Sequence, residues 1–280
     1  MKNSSNDKST LFLYNTKIGK IILSLMLKTK IPAFLATILR SPFSKFYINL
    51  FIKKHNIDMS DFENVKFKSF NDFFTRKKEI TFDNDKTHLI SPADSLVSSY
   101  KITENAVFNI KNFDYKIEDF FDLENFPTEN KDLAKKFADG ICVVFRLCAT
   151  DYHRYIYIDN AKVGSQHFIS GSLYSVQPAA CENFRVFTKN RRAWTILKTE
   201  NFGTVAQIEV GAFSVGGIIN HHKNINVNKG HEKGYFDLHG STIVLLFEKD
   251  KIKLLQEIEK ASKEDSEFRV KAGQYIGNKI

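Results

Sequence analysis

The stretch Gly234–Phe247, GYFDLHGSTIVLLF, poses the central question of this chain. An alternating run with Tyr235, Phe236 and Leu238 leads into His239-Gly240-Ser241-Thr242, and a block of five apolar residues, Ile243–Phe247, follows at once. A turn carrying a hydroxyl is thus set between two strands, with about forty residues remaining. The G-x-S-x-G nucleophile elbow of hydrolases does not fit. Its second glycine is replaced by Ile243, and the elbow should open a helix rather than a strand. Taken alone, a Ser-Thr turn is an ordinary structural turn.

Outward from this point, the region from His88 onward reads mostly as β-structure. Ile141–Cys148, Tyr152–Ile158, Trp194–Thr199, Thr204–Val215 and Thr242–Glu248 are rich in β-branched and aromatic residues and bounded by Gly, Asn and Asp. A helix is expected over Leu254–Ala261, and a short one within Lys68–Lys77 with Ser69 as its N-cap.

Residues 17–54 differ in character, being apolar-rich but repeatedly interrupted by lysines and an arginine. The longest uncharged run, Ile31–Leu39, is half of the roughly twenty residues that span a bilayer, so no transmembrane helix is expected. Leu23, Met26 and Leu27, then Phe34, Leu35, Ile38 and Leu39, recur at helical spacing. That pattern fits an amphipathic helix pair lying in a membrane interface, or equally a helical cap on the protein's own core. Residues 1–10 are polar and lack the marks of a signal peptide. The fold class expected is α+β. An amphipathic helical segment, residues 1–60, precedes a β-rich domain, residues 61–280.

The formal charge of +9 suits an anionic partner. No glycine-spaced RNA motif, zinc-finger spacing or basic arm points to nucleic acid, whereas an anionic membrane surface favours such a chain. The three cysteines, Cys142, Cys148 and Cys181, form no CxxC, which argues against a disulfide framework or zinc and for a reducing compartment. No metal site is expected; His221-His222 beside Lys223 lack an evident third ligand and read as a solvated loop or a lipid headgroup contact. His167, in an alternating strand, reads as structural.

Five separated motifs, in order, change the reading of the HGST turn. They are FNDFFTRK from Phe70, SPADSLV with Asp94, LCATDYHRYIYIDNA with His153 and Arg154, FGTVAQIEVGAFSVGGI, and NKGHEKGYFDLHGST ending at Thr242. Together they resemble the phosphatidylserine decarboxylase proenzyme family, over about residues 65–250. The resemblance implies that the chain cuts itself at Gly240-Ser241. Ser241 Oγ attacks the Gly240 carbonyl to give an ester. β-Elimination then leaves a dehydroalanine, which hydrolyses to a pyruvoyl group and ammonia. A glycine turn suits this chemistry, because it tolerates unusual dihedrals. The products are a β subunit, residues 1–240, and an α subunit, residues 241–280, associated as a heterodimer. The implied cofactor is the covalent pyruvoyl at position 241, an electron sink for turning phosphatidylserine into phosphatidylethanolamine without pyridoxal phosphate. The implied location is peripheral, on the cytoplasmic face of the cell membrane.

Serine needs an activating base, commonly oriented by a carboxylate. The resemblance assigns Asp94 as that carboxylate and His153 as the histidine. Many members carry a second histidine where this chain has Ile156, so His153 serves self-cleavage, the later proton transfer or both, or another histidine substitutes, His239 being the first to test although a tolerated turn residue is the plainer reading of it. Glu209 lies where the family tends to carry an acid, with a structural hydrogen bond and a catalytic role both open. A related pyruvoyl decarboxylase with another amino-acid or lipid substrate, and an uncleaved lipid-binding relative, remain the alternatives.

Overall fold

The computed structural model describes residues 7–29, 31–125, 132–212, 217–238 and 241–280. Gly240 and His239, and the end of the expected Thr204–Val215 strand, lie outside the described residues.

Four helices open the chain: α1 (Lys8–Asn15), α2 (Lys17–Lys28), α3 (Ile31–Arg40) and α4 (Lys45–His55). The expected pair is therefore subdivided. Thr16 caps α2 by accepting a hydrogen bond from Gly19 N at 2.9 Å, and α2 leaves α1 at 97°. Gly19 permits that tight corner, because a Cβ there would lie 2.0 Å from the Phe12 carbonyl oxygen. Pro42 separates α3 from α4, since the residue before a proline is pushed out of the helical region, and Ser41 is extended (ψ 153°). Helix α5 (Phe70–Phe74) has the expected N-cap, with Ser69 Oγ accepting from Asp72 N at 3.2 Å.

The β-rich part contains β1 (His88–Ile90), β2 (Ser95–Lys101), β3 (Val107–Ile110), β4 (Phe113–Lys116), β5 (Ile141–Leu147), β6 (Arg154–Ile156), β7 (Ala161–Ile169) and β8 (Arg192–Thr199). It continues with β9 (Thr204–Gly211), β10 (Gly217–Asn220), β11 (Asn226–Val227), β12 (Glu232–Asp237), β13 (Ser241–Phe247), β14 (Ile252–Leu254), β15 (Phe268–Val270) and β16 (Tyr275–Lys279). The main sheet is antiparallel with order β11-β7-β8-β9-β13-β5-β2-β15. On one face lie the small sheets β1-β16-β14 and β10-β12-β6, closing a core of Val97, Phe145, Ile243, Leu245 and Phe247. On the other face the β3–β4 hairpin and short helical turns close a second core around Trp194, Ile208, Val144 and Leu246.

This double coverage explains why β13 reads as a continuous apolar run rather than an alternating one: all seven of its residues are buried. The helix near the C-terminus runs Gln256–Lys263 instead of starting at Leu254, because Leu254 is taken into β14 and paired with Gly277.

The N-terminal helices pack in two places. Tyr14 and Leu23, from α1 and α2, join the second core. Ala36, Ile48 and Phe51, from α3 and α4, form a third cluster with Phe70, Phe73 and Phe74 of α5 and with Leu238.

Candidate active site

Ser241 is the first residue of β13, paired with Gly211 on β9 and Leu147 on β5. Alternation along β13 turns its side chain to the face of Ile243 and Leu245, and that of Thr242 to the opposite face. The Ser241 hydroxyl is fully buried and, among the described residues, makes no hydrogen bond. Such a group ordinarily costs on the order of 1–3 kcal/mol and calls for a reason. Three residues earlier, Leu238 holds a left-handed backbone (φ 49°), a conformation that costs a leucine roughly 1–2 kcal/mol. Its side chain is locked among Phe70, Phe73 and Phe74.

His153 follows a tight turn after β5, closed by Asp151 N donating to Cys148 O and Cys148 N donating to Asp151 Oδ2. Its Nδ1 lies 2.8 Å from the Asp151 carbonyl oxygen. A carbonyl only accepts, so Nδ1 carries the proton, and in the neutral ring the lone pair is at Nε2. Phe74 covers the imidazole at 3.9 Å between ring centres. The His153 carbonyl accepts from Phe236 N on β12, the strand that leads to Ser241. Strand β6 starts later than expected because Tyr152 and His153 lie between this turn and Arg154, the first residue paired with β12.

Asp94 follows the Ser91-Pro92-Ala93 turn. Its Oδ1 accepts from Ala272 N at 2.9 Å and its Oδ2 from Lys271 Nζ at 3.1 Å. The acceptor on the imidazole's Nδ1 is thus a backbone oxygen, while the Asp94 carboxylate is held by the C-terminal segment.

Sequence reasoning missed that segment. Glu267, Arg269 and Lys271, at alternate positions along β15 and just beyond its ends, each meet a charged side chain of β5, of the turn before His153 or of the turn after β1. Glu267 takes Arg146 in a fork (2.8 and 2.5 Å), Arg269 takes both oxygens of Asp151 (2.9 Å each), and Lys271 takes Asp94. Burial pushes the Asp151 carboxyl above its ordinary value, opposed first by the Arg269 charge. The charged-apolar alternation EFRVK is visible in the sequence, but its partners lie 118 to 177 residues away.

Glu209 lies on β9 opposite Ile243, two pairs along from Gly211–Ser241. It accepts from Lys233 Nζ at 2.8 Å and from Asn220 Nδ2 at 3.0 Å, with both charged side chains buried. Burial lowers the affinity of the Lys233 ammonium for its proton. Gly234 makes room for this network, since a Cβ there would lie 2.9 Å from Tyr155 Oη and 1.9 Å from the Ile219 carbonyl oxygen. His221 is occupied by Glu232 (2.8 Å) and His222 by the Tyr157 hydroxyl (3.3 Å), while His167 lies against Trp194. Ile156 is buried on β6. A cavity of about 650 Å³ lies on the opposite face of the sheet, lined by Tyr100, Val144, Arg146 and Phe187, behind Thr242 rather than before Ser241.

A sequence model of the phosphatidylserine decarboxylase family matches residues 70–278, from the start of α5 to the last strand. The chain belongs to the phosphatidylserine decarboxylase family. It is 40% identical over 270 residues to phosphatidylserine decarboxylase proenzyme 2 of Clostridium acetobutylicum, covering 95% of this chain and 90% of that one. It is 39% identical over 278 residues to the phosphatidylserine decarboxylase proenzyme of Clostridium beijerinckii, covering 95% and 91%. A third proenzyme, from Clostridium kluyveri, is 38% identical with 98% and 94% covered. The likeness to phosphatidylserine decarboxylase proenzymes thus takes in the N-terminal helices as well as the sheet.

Proposed function

We propose that this chain cuts itself between Gly240 and Ser241 and then decarboxylates phosphatidylserine to phosphatidylethanolamine at a membrane surface. The observation that carries this reading is the buried Ser241 hydroxyl without a hydrogen-bond partner among the described residues, at the start of the central strand of a proenzyme-family fold. In the cleavage step Ser241 Oγ bonds to the Gly240 carbonyl carbon as the Gly240-Ser241 C–N bond breaks. His153 Nε2, the lone-pair nitrogen, takes the hydroxyl proton. Elimination of the Gly240 carboxylate leaves a dehydroalanine at 241, and one water converts it to the pyruvoyl with loss of ammonia.

The residues present fit that group. Position 241 is enclosed between β5 and β9 with, among the described residues, no side-chain hydrogen bond to sacrifice, and Ile243–Phe247 would hold the strand in place once the covalent link is gone. Burial of those five side chains is worth roughly 1.5–3 kcal/mol each. When present, the pyruvoyl supplies an electron sink for the departing carboxylate's electrons. The chain's own groups then exclude water and hold the proton that replaces CO2, a role assigned to His153. The Asp151 carbonyl keeps that ring in one tautomer, and Asp94 stands close enough to Asp151 to act on it electrostatically.

The membrane part of the reading rests on the helical layer. Among the described residues no single helix is long and apolar enough to cross a membrane. Yet Ile18, Ile21 and Leu25 on α2 are exposed, and Phe43 and Phe46 are 86% and 80% exposed, beside Lys17, Lys20 and Lys45. Monomers rarely leave such patches open without a partner, and cations among apolar side chains suit anionic lipid. The same helices bury Leu23, Ala36, Ile48 and Phe51 inward, so core cap and lipid-facing layer are two faces of one element set. This favours a lipid substrate over a small soluble amino acid.

Intact-mass spectrometry of the purified protein is the test. Two pieces are expected, the smaller being residues 241–280 with a blocked N-terminus, and Ser241→Ala should stay whole and inactive. A single intact chain with an unmodified Ser241 would overturn the reading.

A further inference from the structure

Arg76, two residues beyond the end of α5, is only 8% exposed. Its guanidinium lies over the Phe73 ring at 4.8 Å and the Phe62 ring at 5.4 Å. Of its five N–H donors, Nη1 reaches the Phe73 carbonyl at 3.3 Å, and the buried Nε–H finds no acceptor. Among the described residues no carboxylate lies within ion-pairing distance of it. The other deeply buried arginines are matched: Arg146 forks onto Glu267, and Arg192 donates to the carbonyls of Asp119, Phe120, Thr188 and Asn190. The nearest carboxylates, Asp94 and Asp151, act on Arg76 only through space, and their oxygens are already taken by Lys271, Ala272, Arg269 and Cys148 N. A buried cation with open donors and no counter-ion is strongly disfavoured unless an anion completes it.

We propose that Arg76 binds the phosphodiester of the substrate's head group, an inference that rests on the function proposed above. Position selects this anion. Helix α5 joins the apolar helical layer, through Phe70 and Phe73 against Ile48 and Phe51, to His153, through the Phe74 ring. A phospholipid's phosphodiester likewise sits between its acylated glycerol and its amino-acid head. Geometry agrees, because a guanidinium matches two phosphate oxygens at once. The substrate carboxylate is the wrong occupant. It leaves as neutral CO2, and a cation holding it would stabilise the ground state more than the transition state.

The test uses mature wild-type protein and Arg76→Gln, after mass spectrometry has established that both are cleaved. Glycerophosphoethanolamine binding, measured by calorimetry, should weaken about tenfold to a hundredfold in the variant, the value of one charge-assisted contact. Inorganic phosphate should compete with it on the wild type. Turnover of phosphatidylserine in micelles and of soluble glycerophosphoserine should fall by the same factor, chiefly through KM. Turnover of an O-alkylserine, which has no phosphate, should be the same in both proteins. Unchanged glycerophosphoethanolamine binding, or an equal loss on O-alkylserine, overturns the proposal. Should Arg76→Gln not fold, phosphate competition on the wild type and the binding of Arg76→Lys decide instead, and absence of competition overturns it. An uncleaved or inactive wild type would sink the proposed function, whereas failure of the binding arm in an active enzyme sinks only the role of Arg76.

Discussion

At the scale of single residues, the consequential hydrogen bond is His153 Nδ1–H to the Asp151 carbonyl, because it settles which nitrogen can accept a proton. Replacing His153 by Ala is expected to slow self-cleavage by about 10² to 10⁴, the usual worth of general-base assistance, and the two fragments on a gel report it. Asp94→Asn should slow cleavage less, since Ala272 N and Lys271 would keep an amide oxygen in place. If His153→Ala is cut normally yet does not decarboxylate, its role is confined to the second reaction, and His239 becomes the base to test. A pH effect belongs to Asp151. Its carboxyl is raised by burial, so the folded chain holds that proton more tightly than the unfolded one, and the stability it contributes is lost as pH climbs through the raised value. Arg269→Gln removes the leading opposing charge and extends that loss. The variant's urea midpoint should therefore drop further below wild type at about pH 7 than at about pH 4, and an equal gap at both would refute the link. Ser241, Asp94 and His153 stood out in the sequence because they fall in the motifs that resemble the family. The Asp151 carbonyl was not, since a backbone acceptor carries no side-chain signature. Arg76 was visible only as part of a motif; that its charge has no ion-pair partner among the described residues emerges only from the structure.

At the scale of elements, strands were legible where local composition settles them. Strand β5 and the body of β13 fall within a residue of the sequence reading, both lying inside the main sheet with apolar neighbours on either side. Strands β14 and β15 were not foreseen, because three-residue edge strands are defined by distant partners, Gly277 for Leu254 and Leu96 for Arg269, rather than by their own pattern. The helical layer yielded its periodicity but not its subdivision, which Pro42 and the sharp corner after α1 impose. A double substitution on this layer, Phe43→Ser with Phe46→Ser, should leave self-cleavage intact, since both rings point to solvent. It should weaken binding to anionic vesicles by at least tenfold, as each buried Phe is worth roughly 1.5–3 kcal/mol. Added salt should weaken the remainder, because exposed charges are screened within about 10 Å at ~0.1 M. Vesicle co-sedimentation measures both, and indifference to the double substitution would remove this layer from membrane binding.

At the scale of the whole molecule, β13 and β15 tie residues 241–280 into the main sheet at two separate places, the fifth strand and the eighth. If the chain is cut at Gly240-Ser241 as proposed, folding ceases to be a one-body equilibrium and becomes an association governed by mass action. The cleaved protein should melt at a temperature that rises with its concentration, because a 50-fold greater concentration adds RT ln 50, or about 2.3 kcal/mol, to the apparent stability of the associated form. The uncut Ser241→Ala chain should melt at one temperature throughout. Scanning calorimetry over that range distinguishes them, and a concentration-independent midpoint for the cut form would mean that the fragments never part on unfolding. On the proposed reading, the same β13 that would present the reactive end also decides whether the protein survives making it.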